Sequence, residues 1–333
     1  MTYTVGGLIQ AADYNGFAND SANNVGVIWS TGSGDKGYGQ TAIANVSAGG
    51  TVTATQWATL VNNIAAIGNH TGTTITARTA PVTGNTISIL ANVATDINSV
   101  TANRGNAVAS GTEVGTFSGT TSKTTATGSG TAAWTITFTH TVTFGSAAEA
   151  RYFFNAGGLI RLQYGKTSTG TDADGDWNTL AGQCGGIFFS GRINSTTNTI
   201  AGQAYTGTTR IGGGGGTQTT LATTTGFYSL TPGAAATTIF QLNNASSPYT
   251  PDFIRTTVAL NAGSTILTFV TTWSDNGSSG AGTSANISGG TATSSPSTTI
   301  TGTAPTTLVT FRPPSTTYLS ASWGTPAIAA SVA

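Results

Sequence analysis

Residues 134–144 read WTITFTHTVTF. Trp134, Ile136, Phe138, His140, Val142 and Phe144 take one side of the pattern, and threonines take the other. Strict alternation over such a run predicts a strand of roughly 36 Å with one buried face. Burying the apolar side chains of that face contributes about 1.5–3 kcal/mol each as an upper bound, so a second layer must cover it. Further β-patterned runs follow at 186–193, 237–242, 252–260, 264–273 and 306–311. No regular helical pattern separates most of them. The expected fold is mainly β, with an antiparallel, sandwich-like C-terminal part and a smaller helical N-terminal part.

The helical signals lie in the first hundred residues. Thr53 and Gln56 make a capping box, and Trp57, Leu60, Val61, Ile64 and Ile67 follow at helical spacing, with Gly68 as the expected stop. Leu90, Val93, Ile97 and Val100 then alternate in steps of three and four, as in a short heptad seam. Such a seam packs a helix either on its own domain or around an oligomer axis. A weaker helix is expected from about Ala11 to Asn23, with Tyr14, Phe17 and Ala18 on one face. Residues 107–131 are crowded with Gly, Ser and Thr and read as a linker. The division is therefore 1–106 for a helical assembly or docking region, 107–131 for the linker, and 132–333 for the β domain. Residues 274–290 are a candidate boundary between two β subdomains.

Two glycine-bearing stretches read as hairpins. In RYFFNAGGLIRL (151–162), Asn155-Ala156-Gly157-Gly158 joins two β-favouring runs, and Asn261-Ala262-Gly263-Ser264 does the same later.

Charge changes the functional picture. Asp, Glu, Lys and Arg make up 7% of the 333 residues and the formal net charge is +0; an ordinary domain carries roughly 25%. No basic surplus exists to displace counterions, so nucleic acid is not an expected partner. An anionic membrane surface fits equally poorly. No run of about 20 apolar residues is present, and the N-terminus lacks a basic, apolar leader, so neither membrane insertion nor a signal peptide is expected. Near-zero net charge favours self-association. The single cysteine, Cys184, cannot build a disulfide framework.

Candidate chemistry is sparse. Gly32, Gly34 and Gly37 spell G-x-G-x-x-G, but no acidic residue occurs between Asp35 and Asp96, so no dinucleotide cofactor is expected. Gly212–Gly216 lacks the Lys and Ser/Thr of a phosphate loop and reads as a flexible or closely packed backbone. Asp172, Asp174 and Asp176 resemble a calcium loop, yet the glycine is misplaced and Gln183 stands where a glutamate is needed. Asp176 is also a natural N-cap for a short helix. The histidines are His70 and His140. His140 lies on the apolar face of its strand, where it is either a core residue or part of a ring on an oligomer axis. Glycoside hydrolysis would draw on Glu113, Glu149 or the three aspartates, and nothing places a pair across a cleft. Trp273 and Trp323 are candidate glycan contacts.

The segment from Thr116 to Leu162, with RYFFNAGG after a threonine-alternating strand, resembles structural proteins of tailed, cyanophage-like bacteriophages. GLIQAADYN, GSGDKGYGQ, TATQWATLVNNI with GNHTG, and the later RPPSTTYLSASWGTP are similar too. The resemblance implies a virion component and transfers no catalytic residue. The expectation is a non-enzymatic virion protein without cofactor or metal, made in the host cytoplasm. A tail- or baseplate-associated fibre is the leading form. Its partners would be further copies of itself (a homotrimer, by analogy with fibres), other tail or baseplate proteins, and a host surface glycan. Leu90, Val93, Ile97, Val100 and His140 are the candidate oligomer contacts. A head fibre or capsid decoration protein, a glycan-cleaving tailspike and a bacterial adhesin are the alternatives.

Overall fold

The computed structural model describes residues 10–19, 24–83, 92–107, 109–114, 127–129, 133–167, 173–191, 199–200, 202–245, 250–275 and 305–333. The elements run in this order: α1 (Ala11–Ala18), α2 (Val25–Trp29), α3 (Ala54–Thr71), α4 (Val93–Ala102), β1 (Thr127–Ser129), β2 (Ala133–Thr143), α5 (Ala147–Asn155), β3 (Leu159–Gly165), α6 (Ala173–Cys184), β4 (Gly186–Phe189), β5 (Thr199–Ile200), β6 (Gln203–Ala204), β7 (Thr208–Ile211), β8 (Thr217–Leu221), β9 (Thr237–Asn243), β10 (Phe253–Leu260), β11 (Ile266–Asp275), β12 (Thr306–Arg312) and β13 (Ala327–Val332).

The mainly β expectation holds, with antiparallel sheets and helices concentrated toward the N-terminal side. A seven-stranded sheet runs β1-β2-β11-β10-β9-β8, with β13 also paired to β2; a four-stranded sheet runs β12-β3-β4-β7. Their inner faces pack together. Phe189 meets Phe269 edge-on at 5.5 Å, and Tyr164 stacks on Phe240 at 5.9 Å. Ile136, Phe138, His140, Val142 and Phe144 are all buried, as the alternation in β2 predicts. The side chain of Trp134 lies outside the described residues. Buried hydroxyls on the inner faces are paired with each other. Tyr164 Oη lies 2.7 Å from Thr256 Oγ1, which lies 2.8 Å from Thr271 Oγ1. Such pairing removes most of the cost of placing polar groups in the core.

The N-terminal helices share one continuous hydrophobic core with the sandwich. Thr53 and Gln56 make the expected capping box on α3. The helix does not stop at Gly68; it continues to Thr71 and ends at Gly72 in the left-handed conformation. Trp57 packs edge-on against Tyr14 at 5.6 Å. Asn15 holds the backbone of Val46 from both sides, its Nδ2 donating at 2.9 Å and its Oδ1 accepting at 2.8 Å.

The RYFFNAGG hairpin reading is overturned. Tyr152, Phe153 and Phe154 belong to α5, not to a strand. Ser146 caps that helix through the N–H of Glu149 at 3.1 Å, and the alanine-rich AAEAR that follows favours helix over strand. The glycines end the helix. Gly158 N–H donates to Phe153 O at 2.8 Å and Gly157 N–H to Phe154 O at 3.3 Å, the Schellman pattern, with Gly157 at φ +98°. The chain then enters β3. The second stretch is a hairpin, joining β10 to β11 with Leu260 opposite Leu267. There Ser264, not Gly263, takes the positive φ, and Asn261 Oδ1 accepts from the N–H groups of Thr265 and Ile266.

Residues 109–114, expected within the linker, are laid along β12. Val114 exchanges backbone hydrogen bonds with Phe311 at 2.8 and 3.0 Å, and Ser110 N–H donates to Pro313 O at 2.7 Å. Glu113 pins this strip to the sheet through Arg161 at 2.5 Å and Arg312 at 3.3 Å. Residues 115–126, and the candidate subdomain boundary beyond Asp275, lie outside the described residues.

Candidate functional site

The side chains nominated as contacts turn inward. Val93, Ile97 and Val100 are fully buried in the chain's own core. These three side chains pack α4 beside α3, which is the domain-packing alternative, and none of the three is left for an oligomer axis. Leu90 lies outside the described residues. His140 is also fully buried, between the sheets, where the Thr307 backbone is its hydrogen-bond partner. Burial pushes its pKa down to about 4, against the pull of that hydrogen bond. A ring of histidines on a symmetry axis is therefore corrected to a neutral core residue.

The tryptophans are corrected in the same way. Trp273 stacks on Trp177 at 5.7 Å, and its indole N–H donates to Thr307 Oγ1 at 3.3 Å. Trp323 is 2% exposed. Neither offers a ring to a sugar. Both apolar residues and tryptophans recur at strand-like or helical spacing whether they face a partner or a core, so sequence spacing alone could not separate the two.

The glycine-rich loop at 31–37 is held by its own protein. Arg151 donates to the carbonyls of Thr31, Gly34 and Lys36 at 3.0–3.1 Å. Asn155 Nδ2 donates to Gly37 O at 3.0 Å, while its Oδ1 accepts from Tyr228 Oη at 2.6 Å. The loop carbonyls thus face the α5 side chains and lock the helical part onto the sandwich. Gln40 adds a second lock, donating to Ser320 O at 2.9 Å and accepting from Ser320 N–H at 2.8 Å. Arg151 and Asn155 fall in RYFFNAGG and Gln40 ends GSGDKGYGQ, but the sequence assigned none of them this tethering role. Only their distant partners define their roles.

The five-glycine run connects β7 to β8 as an arch of positive φ throughout. It closes over the end of α6, with Gly214 N–H donating to Gln183 O at 3.2 Å. A shallow hollow of about 280 Å³ is lined by Gln203, Tyr205, Thr206, Arg210, Leu221 and Thr223. The Arg210 guanidinium is engaged already. It donates to the carbonyls of Cys184, at 3.1 Å, and Gln183, and to Gln218 Oε1 at 3.0 Å. That placement at the C-terminal end of α6 suits the helix dipole. It leaves the hollow lined mainly by neutral groups.

The remaining chemistry disperses. α6 begins at Ala173, so Asp176 sits inside the helix and not at its N-cap; Asp172 and the Asp174 side chain lie outside the described residues. Glu149 stands in the first turn of α5 with its carboxylate against Gly145 and Gly324. Glu113 bridges two arginines. Cys184 is buried, and that burial pushes its thiol pKa up. Among the described residues no three His, Cys, Asp or Glu side chains gather as a metal site. Among them, too, no helix is long and apolar enough to cross a membrane.

What the fold does present is the outer face of the seven-stranded sheet. Thr135, Thr137, Thr139, Thr141 and Thr143 stand along β2, with Thr137 beside Thr272 and Thr141 beside Thr268 on β11. Alternate residues are about 7 Å apart, so the threonines form a row along β2; on β11 threonines alternate with Ile266, opposite Thr143, and Val270, opposite Thr139. Among the described residues of this face the charged side chain is Arg255, held over the Phe253 ring at 5.1 Å. No protein-family model, curated protein or solved structure matches the chain.

Proposed function

We propose that the chain is a non-enzymatic structural component of a tailed-phage virion, associated with the tail or baseplate as a fibre or fibre-like part. The observation that carries this reading is the broad, nearly uncharged outer face of the seven-stranded sheet, with its threonine row on β2 beside the mixed threonine and aliphatic row of β11. A face of short, β-branched residues packs closely against a neighbouring surface and costs little side-chain entropy when covered. The helical part is tied to the sandwich by Arg151, Asn155 and Gln40. The sequence resemblance around RYFFNAGG points the same way, with localisation to the virion and contact with other virion proteins. The reading includes self-association. Since Val93, Ile97 and Val100 are internal, the heptad spacing no longer argues for three copies.

Gold-labelled antibodies against the chain, applied to intact purified particles, test the proposal. Label at the tail or baseplate is the expected outcome. Label on the head transfers the protein to the capsid-decoration alternative. Absence of the chain from purified particles overturns the virion reading. Release of reducing ends from host envelope polysaccharide, lost in Glu149→Gln, would instead make it a glycan-cleaving tailspike.

A further inference from the structure

The sheet edges are treated unequally. On the four-stranded sheet, the β12 edge is covered by residues 109–114. The β7 edge is four residues long and runs straight into the glycine arch. On the seven-stranded sheet, β8 is polar and carries a register shift between Gln218 and Thr220 where it pairs with β9. Short length, bulges and cover are the usual devices that stop an edge from recruiting another strand. Among the described residues β13 has none of them. It is an uninterrupted AIAASV strand paired on one side to β2, from Ala327 opposite Thr143 to Val332 opposite Phe138.

The register identifies its free groups. Thr137 and Ala333 exchange both backbone hydrogen bonds, at 2.8 and 2.9 Å. In an antiparallel ladder such pairs alternate, so Ser331, Ala329 and Ala327 also turn their N–H and C=O toward β2. Those of Ile328, Ala330 and Val332 point outward, and among the described residues no strand pairs with them. The side chains of Ile328 and Val332 are half-buried, packed against the core margin without closing it.

We propose that β13 is where a second copy of this chain adds, antiparallel, across a two-fold axis centred near Ala330. A strand paired with its own copy about a two-fold presents the same edge from both sides. With Ala330 opposite its symmetry mate, Ile328 meets Val332 of the other copy, and the core margin closes into one apolar row. The side chains of residues 325–333 carry no charge, so no charged side chain of this strand opposes the approach of two copies. The two seven-stranded sheets become one continuous sheet, with both threonine faces on the same side. This inference does not depend on the virion reading.

Light scattering and sedimentation of the full chain over a wide concentration range test it. The wild type is expected to approach twice the 33.2 kDa chain mass. Ala330→Pro removes an outward N–H while sparing the ladder to β2, and should hold the protein at single-chain mass. Ala329→Lys adds an edge charge on the outer face and should weaken association by about tenfold or more. If Ala330→Pro fails to fold, Ala329→Lys decides the matter. A wild type that stays at single-chain mass overturns the proposal, as does an assembly of another copy number or one indifferent to both changes. Hydrogen exchange at 328–332 should slow as concentration rises. Protection already complete at high dilution would mean that the chain covers its own edge, and would also overturn it.

Discussion

His70 Nε2 lies 3.0 Å from the carbonyl oxygen of Ala156, joining the last turn of α3 to the C-cap of α5. A carbonyl only accepts, so Nε2 carries the proton and the imidazole is the Nε2–H tautomer. Its Nδ1 is buried without a hydrogen-bond partner, and the Tyr38 ring meets the imidazole edge-on at 5.5 Å. Protonation would place a charge and an unpaired N–H in a dry seam. Burial accordingly lowers the His70 pKa.

Both histidines therefore make the fold acid-sensitive. The unfolded chain takes up protons near pH 6.5, while the native state refuses them at His140 until about pH 4. Stability is full above pH 6.5, falls as pH drops from there toward 4, and gains no further loss from His140 below that. The fall attributable to His140 is roughly 3 kcal/mol. Denaturant midpoints at pH 7.5, 6, 5 and 4 should show this slope, and His140→Leu should flatten part of it. A midpoint independent of pH across that range contradicts the neutral-core assignment.

Trp273 bridges the two sheets and α6 through Trp177 and Thr307. Trp273→Ala should cost about 3–5 kcal/mol, the range for deleting a buried ring. Equilibrium unfolding measures it. A loss below about 1 kcal/mol would mean that the ring is not held as described.

Ile97→Ala should lower stability by about 2–5 kcal/mol and leave the mass of the native protein unchanged, because the side chain is enclosed by its own chain. Scattering mass and melting midpoint, read on one sample, separate this from an oligomer seam, where the mass would fall instead.

Two glycines should respond with opposite signs. A Cβ at Gly158 would stand 2.5 Å from the Phe153 ring, so Gly158→Ala should destabilise by about 1–3 kcal/mol. Gly182 lies in α6 with open space where its Cβ would be. There Gly182→Ala should stabilise by roughly 0.5–1 kcal/mol. Thermal melts of the two variants check the pair, and a stabilised Gly158→Ala would contradict the helix-to-strand turn.

Elements whose faces repeat were legible along the chain. The two-residue alternation of β2, β10 and β11 and the capping box and apolar stripe of α3 depend on neighbours along the chain, and they stand as read. Low charge and threonine-rich strands likewise announced a neutral outer face. The fate of each apolar stripe was decided only in three dimensions. Val93, Ile97, Trp273 and Trp323 look alike in sequence whether they meet another copy, a sugar or their own core, because burial does not record which surface does the burying. RYFFNAGG shows the same limit at short range. Its aromatics favour a strand, but Ser146 and the alanines before it started a helix, and the two glycines then ended one. Asn155, Arg151 and Gln40 sit in recognisable segments, yet nothing beside them in sequence shows what they hold. Their partners lie far along the chain, and folding alone brought them within hydrogen-bonding distance.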